Sequence, residues 1–208
     1  MDERVAIRAH FERFPATLKG AFVVRGNDRD PHQVHIEQAR VVELASRAKR
    51  PMGVDTVTLD VAPHVDTFVP FEVPLLDLRP GWYRLELVVR IDGDDAVVHP
   101  GDRFAMAWPR GSMRRGTASV GRAISTGSTN ITIEQVECAL DSVRVTYGAP
   151  ARVGLSLAAD DETLPQIDEE FDPEAGRGRV VTYPAAKTRT RLAITPRGAE
   201  GPLEIDLP

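Results

Sequence analysis

The sequence predicts an all-β protein built as two β-sandwich domains. Three observations carry that expectation. Short runs of alternating apolar and polar residues recur at spacings of about 8–12 residues, the density of strands in a sandwich. Sixteen Gly and sixteen Pro break the 208-residue chain too often for long helices. Length allows two domains of about 100 residues each.

The strands are justified in order. Val5 and Ile7 alternate with charged residues, so Arg4 to His10 reads as a first strand. Thr17 to Arg25 is a second, with Leu18, Ala21, Val23 and Val24 as its apolar positions. Gly26-Asn27-Asp28 and Asp30-Pro31 mark a turn. Gln33 to Leu44 carries two patterns. Val34 and Ile36 alternate, as do Val42 and Leu44, whereas Val41, Leu44, Ala45 and Ala48 fit a helical stripe. The β-like neighbours favour a strand, because helix propensity is a weak prior. Ser46 to Gly53 is a basic loop. Val54 to Val61 is a strand stopped by Pro63. Thr67 to Val73 is another, and Pro70 within it cannot donate to a ladder, which assigns it to a sheet edge or a bulge.

Pro74 to Asp92 is the clearest local signal. Pro80-Gly81 is a turn pair. After it Tyr83, Leu85, Leu87 and Val89 share one face of a strand, and Trp82, Arg84, Glu86, Val88 and Arg90 share the other. Asp92-Gly93 favours a tight hairpin turn, with Asp95 to His99 as the returning strand. Leu78, Pro80, Gly81 and Tyr83 together resemble the corner of immunoglobulin-like and fibronectin type III-like sandwiches. The resemblance implies that the Tyr83 hydroxyl bonds back to nearby backbone where the chain crosses between sheets. It speaks to architecture, since such folds host many functions.

Pro109 to Gly116 is polar and aperiodic, and sets the domain boundary. The expected division is residues 1–112 for the first domain, 113–127 as a linker or first strand, and 128–208 for the second, giving two tandem immunoglobulin-like sandwiches. In the second half Ile131/Ile133 and Val136/Cys138/Leu140 alternate with a change of parity between them, as a β-bulge requires. Val143, Val145 and Tyr147 alternate, and Val153, Leu155 and Leu157 follow. Ala158 to Glu174 reads as a long irregular acidic loop. Gly178 to Tyr183, Thr188 to Thr195 and Leu203 to Leu207 are the closing strands.

Composition narrows the function. Net charge is −5 and the pI about 5.6, so nucleic acid is not an expected partner. The single cysteine, Cys138, allows no intrachain disulfide. The first residues lack the apolar core of a signal peptide. No apolar run approaches the roughly 18 residues of a membrane span. A cytoplasmic location and no membrane partner are therefore expected.

Chemical motifs are sparse. His32 and His35 fall on opposite faces of a strand and cannot share a metal in the simplest geometry. Cys138 sits among apolar neighbours, the setting of an inert thiol. Ser125 to Ser128 lacks the P-loop lysine, and no Gly-x-Ser-x-Gly elbow is present. No catalytic, cofactor-binding or metal-ligating residue is expected.

The candidate contacts are rings and cations. Trp82 lies on the face opposite Tyr83. Trp108 precedes the basic run that contains Arg114 and Arg115. Arg177 and Arg179 share one strand face, and Lys187, Arg189 and Arg191 share the next. A hairpin through Tyr183 to Ala186 would align these five into a ladder of like charges, which the acidic loop or an external anion must compensate. The acidic loop itself is a solvated segment, a docking site for a basic partner or, less readily, a calcium loop. The expected function is a non-enzymatic, intracellular protein–protein interaction or adaptor module of a larger assembly, with another protein as partner. The alternative is a sandwich that binds a glycan or an anionic ligand.

Overall fold

Period-two alternation becomes antiparallel sheet throughout the chain. The structure, a computed structural model, describes residues 4–127 and 129–208. Ser128, the end of the Ser125 to Ser128 run, lies outside the described residues. The chain divides into two units, Met1–Met106 and Ala107–Pro208. No helix among the described residues is long and apolar enough to cross a membrane.

The first unit contains β1 (Val5–Arg13), β2 (Thr17–Gly26), β3 (His32–Glu43), β4 (Lys49–Pro51), β5 (Val57–Val61), β6 (Asp66–Pro74), β7 (Gly81–Ile91) and β8 (Val97–Met106). One sheet runs β1-β2-β6. The other runs β4-β3-β7-β8, with β5 also paired to β3. The stretch with two readings is thus a strand, and its inward residues Val34, Ile36, Ala39 and Val41 are all buried. Both sheets supply the core: Leu18, Phe22 and Phe71 from one, Ile36, Leu85 and Leu87 from the other. Pro70 does sit on an edge strand, β6. At the β7–β8 turn Asp92 and Gly93 have φ of 53° and 82°, and Asp94 N donates to Ile91 O at 3.0 Å. Positive φ at both central positions is the type I′ geometry that an Asp-Gly pair favours.

The second unit contains β9 (Gly116–Ser125), β10 (Asn130–Cys138), β11 (Val143–Gly148), β12 (Leu155–Ala159), β13 (Glu162–Thr163), β14 (Gln166–Asp172), β15 (Arg177–Thr182), β16 (Arg191–Pro196) and β17 (Leu203–Asp206). Its sheets run β14-β15-β11-β10-β9 and β13-β12-β16-β17. The parity change in β10 is a bulge at Glu134, where the register shifts between Ile133 and Gln135 against both neighbours. Ile131, Ile133, Val136 and Cys138 are buried on its two sides.

Two expectations are corrected here. The acidic segment is not an irregular loop. Asp160 and Asp161, with φ of 41° and 68°, form the turn between β12 and β13, a conformation that Asp tolerates better than bulkier residues. Asp172 Oδ1 then accepts the backbone N–H groups of Glu174 and Ala175 at 2.9 and 3.1 Å, and β14 pairs with β15. The acids are turn formers and edge-strand residues. The basic ladder also does not form. β15 pairs with β11 and β14, whereas β16 pairs with β12 and β17 in the other sheet, so Arg177 and Arg179 never face Arg191 across a hairpin. Lys187 and Arg189 lie before β16, in the connecting turn.

Candidate functional site

The Tyr83 corner is present in atomic detail. Tyr83 stands near the start of β7, buried, and its hydroxyl donates to Arg79 O at 2.9 Å. Its ring stacks on Phe104 with centroids 5.5 Å apart. Trp82, one residue earlier, points to the other face and is half-buried. Trp108 is half-buried in the second unit, edge-on to Tyr183 at 5.8 Å.

The candidate arginines separate into two groups. Arg114 is held by the second unit's own backbone. Its Nε donates to Arg189 O at 2.5 Å, and its Nη1 donates to Leu207 O at 3.0 Å. Its segment is stitched to residues 185–187, with Arg114 N donating to Ala185 O and Lys187 N to Ser112 O. Arg115 is exposed. Each of the four remaining arginines meets a carboxylate. Arg177 Nη2 lies 2.5 Å from Glu134, Arg179 Nη2 2.8 Å from Glu170, and Arg191 Nη1 3.8 Å from Glu204. Arg189 pairs with Glu162. Acids of the segment 160–174 thus neutralise Arg179 and Arg189, one to one and on different sheets. Such exposed pairs contribute at most about 1 kcal/mol each.

Arg177 and Arg179 help line a pocket of about 530 Å³ with Gln135, Thr146, Glu170 and Asp172. A second, of about 480 Å³, opens beside the edge strands β9 and β17 and is lined by Val120, Arg122, Arg191, Glu204 and Ile205. A third, of about 230 Å³, is lined by Val41, Glu43, Ala48, Arg50, Arg79 and Tyr83. Trp82 and Trp108 line none of these three.

Two charged clusters escaped the sequence. His32, 7% exposed, is clasped between loops. Its Nδ1 lies 2.7 Å from Asp92 Oδ2 and its Nε2 2.7 Å from Asp28 Oδ1. Only the imidazolium donates from both nitrogens, so the Asp92 contact, then the Asp28 contact, hold His32 above its ordinary value despite burial. Asp92 is held low, first by the Gln33 backbone N–H and then by His32. Glu86 is buried between Arg84 and Arg40, whose Nε lies 2.8 Å away. Burial pushes its carboxyl up, but the hydrogen bonds from Arg84 and Arg40 outweigh that and hold it below the usual range. Each cluster takes one partner from far along the chain, Asp92 for His32 and Arg40 for Glu86, and sequence spacing gives no sign of those two contacts.

The remaining chemistry is quiet. Burial pushes the Cys138 thiol up to about 11, which disfavours the thiolate. Among the described residues no group of three or more His, Cys, Asp or Glu side chains is placed to hold a metal ion.

The long open edge of the second unit is β9. It ends the five-stranded sheet, pairing among the described residues only with β10, and all ten of its residues are exposed or half-buried. Arg122 is its single charge, with Nη1 donating to Glu204 O at 3.0 Å. A bulge at Val120-Gly121, with Gly121 at φ 62°, interrupts its register.

No family model matches the chain, and no curated protein matches it. Among solved structures, it is similar to the conserved domain protein from Bacillus anthracis, known from its crystal structure. Identity is 12%, the match covers 100% of this chain and 89% of that one, and the TM-score is 0.41. Likeness at that level carries no functional argument.

Proposed function

We propose that this chain is a non-enzymatic, intracellular interaction or adaptor module whose partner is another protein. The open edge of β9 carries the reading. Unpaired N–H and C=O groups along an edge are a template for an added strand, and proteins usually blunt such edges with Lys, Pro, charge or bulges. Here ten residues carry one charge and one bulge. The groove beside β9, with Val120 and Ile205 among its lining and Arg122 and Arg191 at hand, suits the alternate side chains of an extended partner segment. Affinity capture from the native host, with wild-type and Ala123→Pro baits, tests this. A partner retained equally by both baits removes the β9 reading.

The finer fold assignment belongs to the same proposal. In the first unit the strand order β1-β2-β6 and β4-β3-β7-β8, with the Tyr83 corner at the start of β7, supports an immunoglobulin-like sandwich of fibronectin type III order. The second unit opens with three strands, β9, β10 and β11, consecutive in one sheet. That order lacks the early crossing between sheets, so the immunoglobulin-like reading is proposed for the first unit alone.

A second reading, binding of a glycan or anionic ligand, is favoured by the pocket that Arg177 and Arg179 line. Both guanidiniums already meet carboxylates, which ranks it below the first. Titration with inorganic phosphate, followed by NMR shifts of residues 177 and 179, separates the two.

A further inference from the structure

One end of the first unit brings exposed apolar side chains and exposed cations together. Three connections meet there: residues 14–16, 44–48 and 75–80. Leu75 N donates to Ala16 O at 2.8 Å, and Leu44 N to Trp82 O at 2.8 Å. Arg50 Nη1 donates to Asp77 O at 2.9 Å. Two large apolar side chains project from this end, Leu76 at 81% exposure and Phe14 at 43%. Arg47, Lys49, Arg50 and Arg79 surround them, all exposed. None of these four is in an ion pair among the described residues, whereas Arg25, Arg40, Arg84 and Arg90 of the same unit each meet a carboxylate. The nearby acids are Asp77, Glu12 two residues before Phe14 and, at the end of β3, Glu43, whose carboxylate accepts the Ser46 hydroxyl at 2.5 Å. Arg50 and Arg79 together line the pocket of about 230 Å³.

The opposite end carries the other sign. Residues 27–31 and 92–96 hold Asp28, Asp30, Asp92, Asp94 and Asp95 against Arg29, with Arg4 and His32 beside them. A unit polarised in this way turns its basic end toward an anionic surface.

We propose that the end formed by residues 14–16, 44–50 and 75–80 docks on an anionic lipid surface. Phe14 and Leu76 enter the interfacial layer, and Arg47, Lys49, Arg50 and Arg79 face the phosphates. Apolar side chains rimmed by cations are the chemistry of interfacial attachment. A lipid surface fits better than an acidic protein because these side chains project instead of lining a groove. A protein would need a matched cavity for each, and a fluid interface does not. The expectation of no membrane partner rested on the lack of a spanning run, which surface docking does not require. The proposal goes beyond the protein-partner reading and uses a different part of the chain from β9.

The full chain is sedimented with vesicles of phosphatidylcholine, alone or mixed with phosphatidylserine. It should pellet only with the mixed vesicles and be released by salt. Arg50→Ala with Arg79→Ala should weaken binding about 25-fold, from roughly fivefold per cation. Leu76→Ser should weaken it about tenfold. Phe14→Trp should give a tryptophan emission that shifts to the blue on the mixed vesicles. These positions are exposed, and unchanged unfolding midpoints check that the variants fold. Failure to pellet with phosphatidylserine, equal pelleting of all variants, or an unshifted emission from Phe14→Trp overturns the proposal. Retention on immobilised polyglutamate without vesicle binding overturns it in favour of an acidic protein.

Discussion

Tyr83 of the first unit and Tyr147 of the second share a general description. Both are buried, both stack on a phenylalanine, Phe104 or Phe171, and both hydroxyls contact backbone. The contacts differ in kind. Tyr83 donates to Arg79 O at 2.9 Å and closes the turn it belongs to. Tyr147 receives a long contact from Val153 N at 3.4 Å, and its ring lies over Gly178, the residue opposite it on β15. A Cβ on Gly178 would come within 2.2 Å of the Tyr147 ring. Phe171 lies opposite Gly178 on the other side, in β14. The glycine between the two rings is what lets them meet. One tyrosine is therefore used for its hydroxyl and the other for its ring, and burial alone does not tell them apart.

Three measurements test that contrast. The largest effect belongs to Gly178→Ala, which drives a methyl into the Tyr147 ring. It should destabilise the second unit by about 2–3 kcal/mol while the first unit's transition stays in place. A second-unit denaturation midpoint equal to wild type would mean that the ring does not rest on the glycine. Next comes the hydroxyl pair. Tyr83→Phe should lower first-unit stability by about 0.5–1.5 kcal/mol, the net worth of one hydrogen bond. Tyr147→Phe should cost the second unit less, since the hydrogen bond to its hydroxyl is long and weak. Equal losses, or a larger one at Tyr147, would erase the distinction.

The smallest effect is in pH. All five histidines lie in residues 1–106. His32 titrates above its unfolded value in the folded chain. Its contribution is complete below the unfolded pKa of about 6.5 and is lost as pH rises through the folded value. Asp92, held low, contributes above its ordinary carboxyl range and loses that contribution in acid. First-unit stability should thus decline as pH rises from about 6.5, the second unit's should not, and His32→Gln should flatten the first. A slope shared by both units would assign it elsewhere.

Much of the local fold is legible in the residues. Pro70 announces an edge, Asp92-Gly93 a type I′ turn, and the parity change around Glu134 a bulge, because each is a property of a few neighbouring residues. The acidic segment is not legible in the same way. Its eight carboxylates mask a weak alternation of Ile167, Glu169 and Phe171, and Asp160-Asp161 reads as charge where it acts as a turn pair. Of the candidate contacts, Trp82 is oriented correctly by alternation with Tyr83. The arginines are not grouped correctly by sequence, since grouping them requires knowing which strands are neighbours.

Which residues face inward along each strand, and where the chain turns, follow from the period of two and from backbone preferences at Gly, Pro and Asp. Which strands lie side by side is settled by long-range packing. Alternation is satisfied by any partner with a buried face, so it set β15 beside neither β16 nor β11. The choice of β11 separated the arginines, gave Arg177 to the bulged Glu134, and brought Tyr147 across Gly178. It was likewise tertiary pairing that joined His32 to an aspartate sixty residues away and left four cations and two apolar side chains together at one end of the first unit.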